Sequence, residues 1–168
     1  VILGATDASL SARGHGQARK LAENFPATHP LAAVYASPLR RAMQSAAYLL
    51  EPWRPFALLD GLREISYGSW DGLAWDEIVA RNPDLAARKA ADWLSVDVPG
   101  GERWSEFETR VAGALSRILG GPLPAAIVAH QAVNAHLAHL LGGGAKTSFQ
   151  QGYCEILSYE LPTDSPNL

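Results

Sequence analysis

The chain is expected to be an α/β protein, a three-layer αβα sandwich around a mostly parallel sheet. Three observations predict it. Short apolar runs alternate with stretches whose apolar residues recur at helical spacing, the order that βαβ units produce. The runs at 33–36, 56–59 and 125–129 lack the polar alternation of a half-exposed strand, so each is expected to be covered on both faces. The 168 residues, 48% apolar and 18% charged, are enough for one core and too few for a second full domain.

The elements follow in order. Ala18, Leu21, Ala22 and Phe25 lie at i, i+3, i+4 and i+7, marking a helix from about Gly14 that Pro26 stops. Ala33 to Ala36 reads as a buried strand. Ser37 offers a capping hydroxyl and Pro38 suits a first helical position, launching a helix to about Leu50. Phe56 to Leu59 is a second strand. Trp75–Arg81 and Leu85–Leu94 read as short helices split by Asn82-Pro83, within an irregular excursion over about 72–99. Ser105 and Glu108 have capping-box spacing, and Trp104, Phe107, Val111, Ala114, Leu115 and Ile118 form one stripe that ends at Gly120-Gly121-Pro122. Ala125 to Ala129 is a third strand. Val133, Leu137, Leu140 and Leu141 stripe the helix behind it, which Gly142 to Gly144 closes. Cys154 to Leu161 is expected to be a last strand. No repeat period appears.

Composition excludes several function classes. Fourteen Lys and Arg against seventeen Asp and Glu give a formal net charge of -3 with no like-charged block, which argues against nucleic acid or a membrane surface as partner. The longest apolar runs are far short of the roughly 20 residues that span a bilayer. One cysteine, Cys154, rules out an internal disulfide framework and points to a reducing, cytoplasmic setting with a buried, inert thiol. The chain opens at Val1 without an initiator Met or a signal-like segment, as though inside a domain.

Ligands in such sheets gather beyond the carboxyl ends of the strands. Arg40 and Arg41 stand there at the start of a helix, where their charge has the wrong sign for the helix dipole. Either they bind an anion such as phosphate, or they are solvated or paired with nearby carboxylates. His130 ends the third strand and is either a satisfied structural histidine or a catalytic one. Glu64, in the polar segment after the second strand, is either ion-paired with an arginine or a general acid whose pKa burial raises. A metal reading on His130, His136 and His139 lacks a carboxylate at ligand spacing, and no metal or cofactor is expected.

These residues sit in a recognisable order: Gly4-x-x-Asp7-x-x-Leu10-Ser11-x-x-Gly14-x-x-Gln17-Ala18, then Ser37-Pro38-Leu39-x-Arg41-Ala42. Leu62-Arg63-Glu64-Ile65-x-Tyr67-Gly68-x-Trp70-x-Gly72, Pro99-Gly100-Gly101-Glu102 and Val128-x-His130 follow. The series resembles the histidine phosphatase (phosphoglycerate mutase-like) superfamily along nearly the whole chain. The resemblance implies that Arg41 grips a phosphoryl group, that Glu64 protonates the leaving oxygen and that His130 is the second catalytic histidine. Arg40 and Gln131 would join the phosphate contacts. Glu102 would hydrogen-bond structurally or touch substrate. The short excursion at 72–99 resembles the compact caps of small phosphatases such as α-ribazole phosphatase, making residues 1–168 one domain with a small helical cap.

The chain also departs from the family. Members open with a strand and an Arg-His-Gly motif whose histidine is the nucleophile, and this sequence has none. Arg13-Gly14-His15-Gly16 falls where the family has its first helix, so His15 is expected on the surface. The strand and motif are expected either upstream of Val1 or lost between Val1-Ile2-Leu3 and Gly4, the first being the more economical because losing a central strand would orphan ladder groups in mid-sheet. Ala129 and Gln131 replace the Ser and Gly that usually flank the second histidine. The resemblance implies phosphomonoester hydrolysis through a phosphohistidine, on a small phosphorylated metabolite. Mutase-type phosphoryl transfer and an inactive phosphate-binding pseudoenzyme are the alternatives, and a homodimer is compatible with either.

Overall fold

A computed structural model describes residues 1–25, 30–94, 96–142, 144 and 149–161. Helix α1 (Ala12–Glu23) is capped by the Ser11 hydroxyl, which accepts the Gly14 N–H at 3.1 Å. The predicted stop at Pro26 lies outside the described residues. Strand β1 (Ala33–Ala36) leads to α2 (Arg40–Ala46), and β2 (Phe56–Leu58) leads to the loop that carries Glu64. Helices α3 (Trp75–Arg81) and α4 (Pro83–Ala91) make up the excursion, divided at Asn82 as Pro83 requires. Long helix α5 (Trp104–Leu119), strand β3 (Ala125–Val128) and helix α6 (Gln131–Gly142) complete the order.

The three strands are parallel in the order β2-β1-β3. Ala36 is level with Leu58 on one side and Val128 on the other, so all three strands end together and their following loops share one rim. Period-two alternation then sorts β1. Ala33 and Tyr35 pack with Phe107, Val111, Leu115, Val133 and Leu137 beneath α5 and α6, while Val34 and Ala36 pack with Ala46 beneath α2. This is the expected α/β fold, with a parallel sheet between helices. The excursion has a core of its own, Trp70, Ile78, Ala86 and Val98, against which Ile2 packs. Residues 1–3 thus lie away from the sheet, the Ile2 backbone exchanging hydrogen bonds with Gly72 (2.7 Å) and Leu73 (2.8 Å). Among the described residues no helix is long and apolar enough to cross a membrane.

Five local expectations need correction. Residues 154–161 form no strand. They are exposed and pair with no other strand, and Cys154 has a left-handed φ of 56° and an exposed side chain in place of the buried thiol expected. Ser37 is not the cap of α2: Leu39 occupies that position without a side-chain cap, and Arg40 and Arg41 open the helix. The Ser37 hydroxyl is instead engaged by His130, 93 residues away. Ser105 lies inside α5, whose reaching-back carboxylate is Glu106, bonded to the backbone N–H and guanidinium of Arg103. Finally, β2 is not covered on both faces. The short helix α2 lies over β1 and β3, leaving Phe56 and Leu58 about two-fifths exposed (40% and 43%).

Candidate active site

The shared rim draws together three of the residues singled out in sequence. Arg41 leaves the first turn of α2 and donates from Nε to His130 Nδ1 at 3.2 Å, while its two terminal nitrogens donate to the carbonyls of Thr6 (2.7 Å) and Gly4 (2.9 Å). Because Nδ1 accepts from arginine, the neutral ring carries its proton on Nε2, which donates to the buried Ser37 hydroxyl at 2.7 Å. Burial first, then the charges of Arg41, Arg110 and Arg63, push the imidazole down to about 3.

Glu64 approaches from the other side. Its Oε2 accepts the N–H of Ala132 at 3.2 Å, at the start of α6 and two residues past His130, and its Oε1 accepts the N–H of Ile65 at 3.1 Å. Desolvation nevertheless raises its pKa, because removal from water outweighs the backbone donors and the nearby Arg41. The same desolvation lowers that of Arg41, opposed by the charges of Glu64, Asp7 and Asp71. A half-buried cation, an imidazole held neutral and a carboxyl inclined to keep its proton therefore meet at one strand-end rim. Such a set can bind a tetrahedral anion and deliver a proton to one of its oxygens.

The remaining candidates are placed differently. Arg40 is exposed and engaged by Asp7, which accepts its backbone N–H at 2.6 Å and its Nε at 3.0 Å. Asp7 thus supplies the cap that α2 lacks locally, and those bonds hold its carboxyl below the usual range. Gln131 is exposed, its amide donating to the Phe149 carbonyl at 3.3 Å. His15 is partly exposed, in contact with the Tyr48 hydroxyl at 3.1 Å, away from the rim. His139 bonds the Gly144 carbonyl, His136 faces Glu108 at 3.8 Å, and no group of three ligating side chains gathers among the described residues.

One further carboxylate, Asp71, escaped the reading of the sequence as part of the site. Asp71 bridges the Gly4–Thr6 loop to the Glu64 loop, accepting from Ala5 N–H (3.3 Å), the Ser66 hydroxyl (3.1 Å) and Tyr67 N–H (2.9 Å). Glu102, expected either to hydrogen-bond structurally or to touch substrate, forms a two-pronged pair with Arg110. The signal for Arg110 was its position inside the apolar stripe of α5, where an arginine needs partners.

Residues 1–168 match the family model described as the histidine phosphatase superfamily (branch 1). The chain belongs to that superfamily. It is 31% identical over 116 residues to phosphoserine phosphatase 1 of Hydrogenobacter thermophilus, covering 68% of this chain and 54% of that protein. It is 30% identical over 120 residues to phosphoglycerate mutase-like protein 4 of Arabidopsis thaliana, covering 70% and 52%. The chain thus spans about half the length of these curated relatives. Among solved structures it superposes on the α-ribazole phosphatase of Shigella flexneri with a TM-score of 0.76 at 24% identity, over 88% of this chain and 74% of the other. It superposes on a mycobacterial glucosyl-3-phosphoglycerate phosphatase with a TM-score of 0.72 at 28% identity, over 86% and 73%.

Proposed function

We propose that the protein hydrolyses the phosphate monoester of a small metabolite through a phosphohistidine, with the nucleophile in an Arg-His-Gly motif ahead of Val1. The histidine attacks phosphorus as the ester P–O bond breaks, and the leaving oxygen takes the proton from Glu64. Water then attacks the phosphohistidine, the P–N bond breaks, and the Glu64 carboxylate takes the proton that water gives up. Arg41 holds the equatorial oxygens. An anion against Nδ1 reverses the balance that keeps His130 neutral, turning it into a second donor.

The observation that carries this reading is the contact of Arg41 with His130, with the raised carboxyl of Glu64 fixed to the turn that follows. The phosphatase relatives support hydrolysis of small phosphorylated metabolites. The excursion of two short helices fits a compact cap better than the enclosing lid that retention of a diphosphorylated intermediate needs in a mutase.

The experiment compares leaving groups in the protein as encoded. Glu64→Gln is expected to slow hydrolysis of glycerol phosphate, a poor leaving group, by about 100-fold or more, and p-nitrophenyl phosphate by less than about tenfold. Equal losses on the two substrates remove Glu64 as the acid.

A further inference from the structure

Arg110 lies between Phe107 and Val111 on the buried side of α5, its guanidinium over the Phe107 ring at 4.9 Å. Toward Glu102 it makes two hydrogen bonds, Nε to Oε1 at 2.5 Å and Nη2 to Oε2 at 2.7 Å. The rest of its fork turns to the loop after β2. Nη1 donates to the carbonyls of Gly61 (3.0 Å) and Arg63 (2.6 Å), and Nη2 to that of Glu64 itself (3.4 Å). One side chain thus holds the main chain up to and including Glu64.

Two neighbouring contacts extend this hold. Gly61 is pressed so closely onto α5 that a Cβ there would lie 2.6 Å from the Arg110 carbonyl and 2.8 Å from Ala114 Cβ. On the far side of Glu64, the Glu102 backbone N–H donates to the Ser66 carbonyl at 2.9 Å. Only a planar fork serves here, because a lysine ammonium is a single point that cannot grip a carboxylate and three carbonyls together. A displacement of about 1 Å in a catalytic group costs on the order of 100-fold in rate, so the span between α5 and this loop bears directly on turnover.

We propose that Arg110, oriented by Glu102, is the positioning residue for Glu64. It acts through the main chain without touching substrate, setting where the carboxyl meets the leaving oxygen. The proposal rests on Glu64 being the general acid.

The test is a set of kinetic cycles on glycerol phosphate and p-nitrophenyl phosphate with Arg110→Lys, Glu64→Gln and the double variant. Arg110→Lys is expected to lower kcat on glycerol phosphate by about 100-fold with KM within about twofold, and kcat on p-nitrophenyl phosphate by less than about tenfold. In the Glu64→Gln background the same change is expected to cause no further loss on glycerol phosphate, since the group it positions is gone. Equal losses on both substrates, or losses that multiply in the double variant, overturn the proposal. If circular dichroism shows Arg110→Lys unfolded, Glu102→Gln carries the same comparison. That variant leaves the arginine in place but weakens its orienting pair, with an expected loss of about tenfold on glycerol phosphate alone and none beyond that of Glu64→Gln. The two levels separate: uniform losses in Glu64→Gln defeat the general-acid reading itself, whereas a discriminating Glu64→Gln beside a non-discriminating Arg110→Lys defeats only the positioning role.

Discussion

His130 is neutral because folding strips it of water and sets Arg41 against its ring. The consequence for stability has a definite sign. Its pKa falls from about 6.5 to about 3 on folding, so between those values the unfolded chain binds the extra proton and acid favours unfolding. The stabilisation is complete above about 6.5 and is lost as pH falls toward 3. His130→Gln removes this titration, so the Tm difference between wild type and variant is expected to shift against the wild type on going from pH 7 to pH 4, measured by thermal melts at constant ionic strength. A constant difference would mean that folding leaves the pKa of the ring unshifted. Glu64 acts in the opposite sense: its raised carboxyl adds stability below its ordinary value near 4.5 and loses it as pH climbs through the folded value. Arg41, Glu64 and His130 were legible from their places after strands and in motifs. Ser37 as the partner of His130, Asp7 as the cap of α2 and Arg110 as the clamp on the Glu64 loop were not. Each depends on a partner 33 or more residues away, and local spacing carries no information about such pairings.

Among elements, the joint between the Glu64 loop and the 99–102 turn brings backbone directly against backbone. Gly68 has a φ of +53°, and a Cβ there would fall 2.3 Å from the Gly100 carbonyl carbon and the Gly101 nitrogen. Gly68→Ala is therefore expected to cost at least about 2 kcal/mol in urea denaturation, combining left-handed strain with displacement of the facing backbone. A cost near zero would show that this joint yields freely. Sequence periodicity located α1, α5 and α6, most faithfully in α5, whereas in α6 the striped Leu140 stays exposed and Ala135 and His136 are buried instead. It failed at the ends of elements and at 154–161. Capping depends on which donors the fold leaves unpaired, and an alternating run becomes a strand only where a neighbouring ladder is available.

On the scale of the whole molecule, two cores of unequal size meet at the Tyr67 region, since Tyr67 packs against both. The larger, together with the cluster under α2, encloses β1, bonded on both sides and buried along all four residues, whereas the smaller holds α3 and α4. Native-state hydrogen exchange is expected to be slowest at β1 and at least about tenfold faster in α3 and α4, which can open without breaching the main core. Equal protection would make the excursion an inseparable part of the central fold. The division also bears on inheritance. The helices over 75–91 draw their buried residues from the small core, so substitutions there are expected to be tolerated through generations with little disturbance of the strands whose ends hold Arg41, Glu64 and His130.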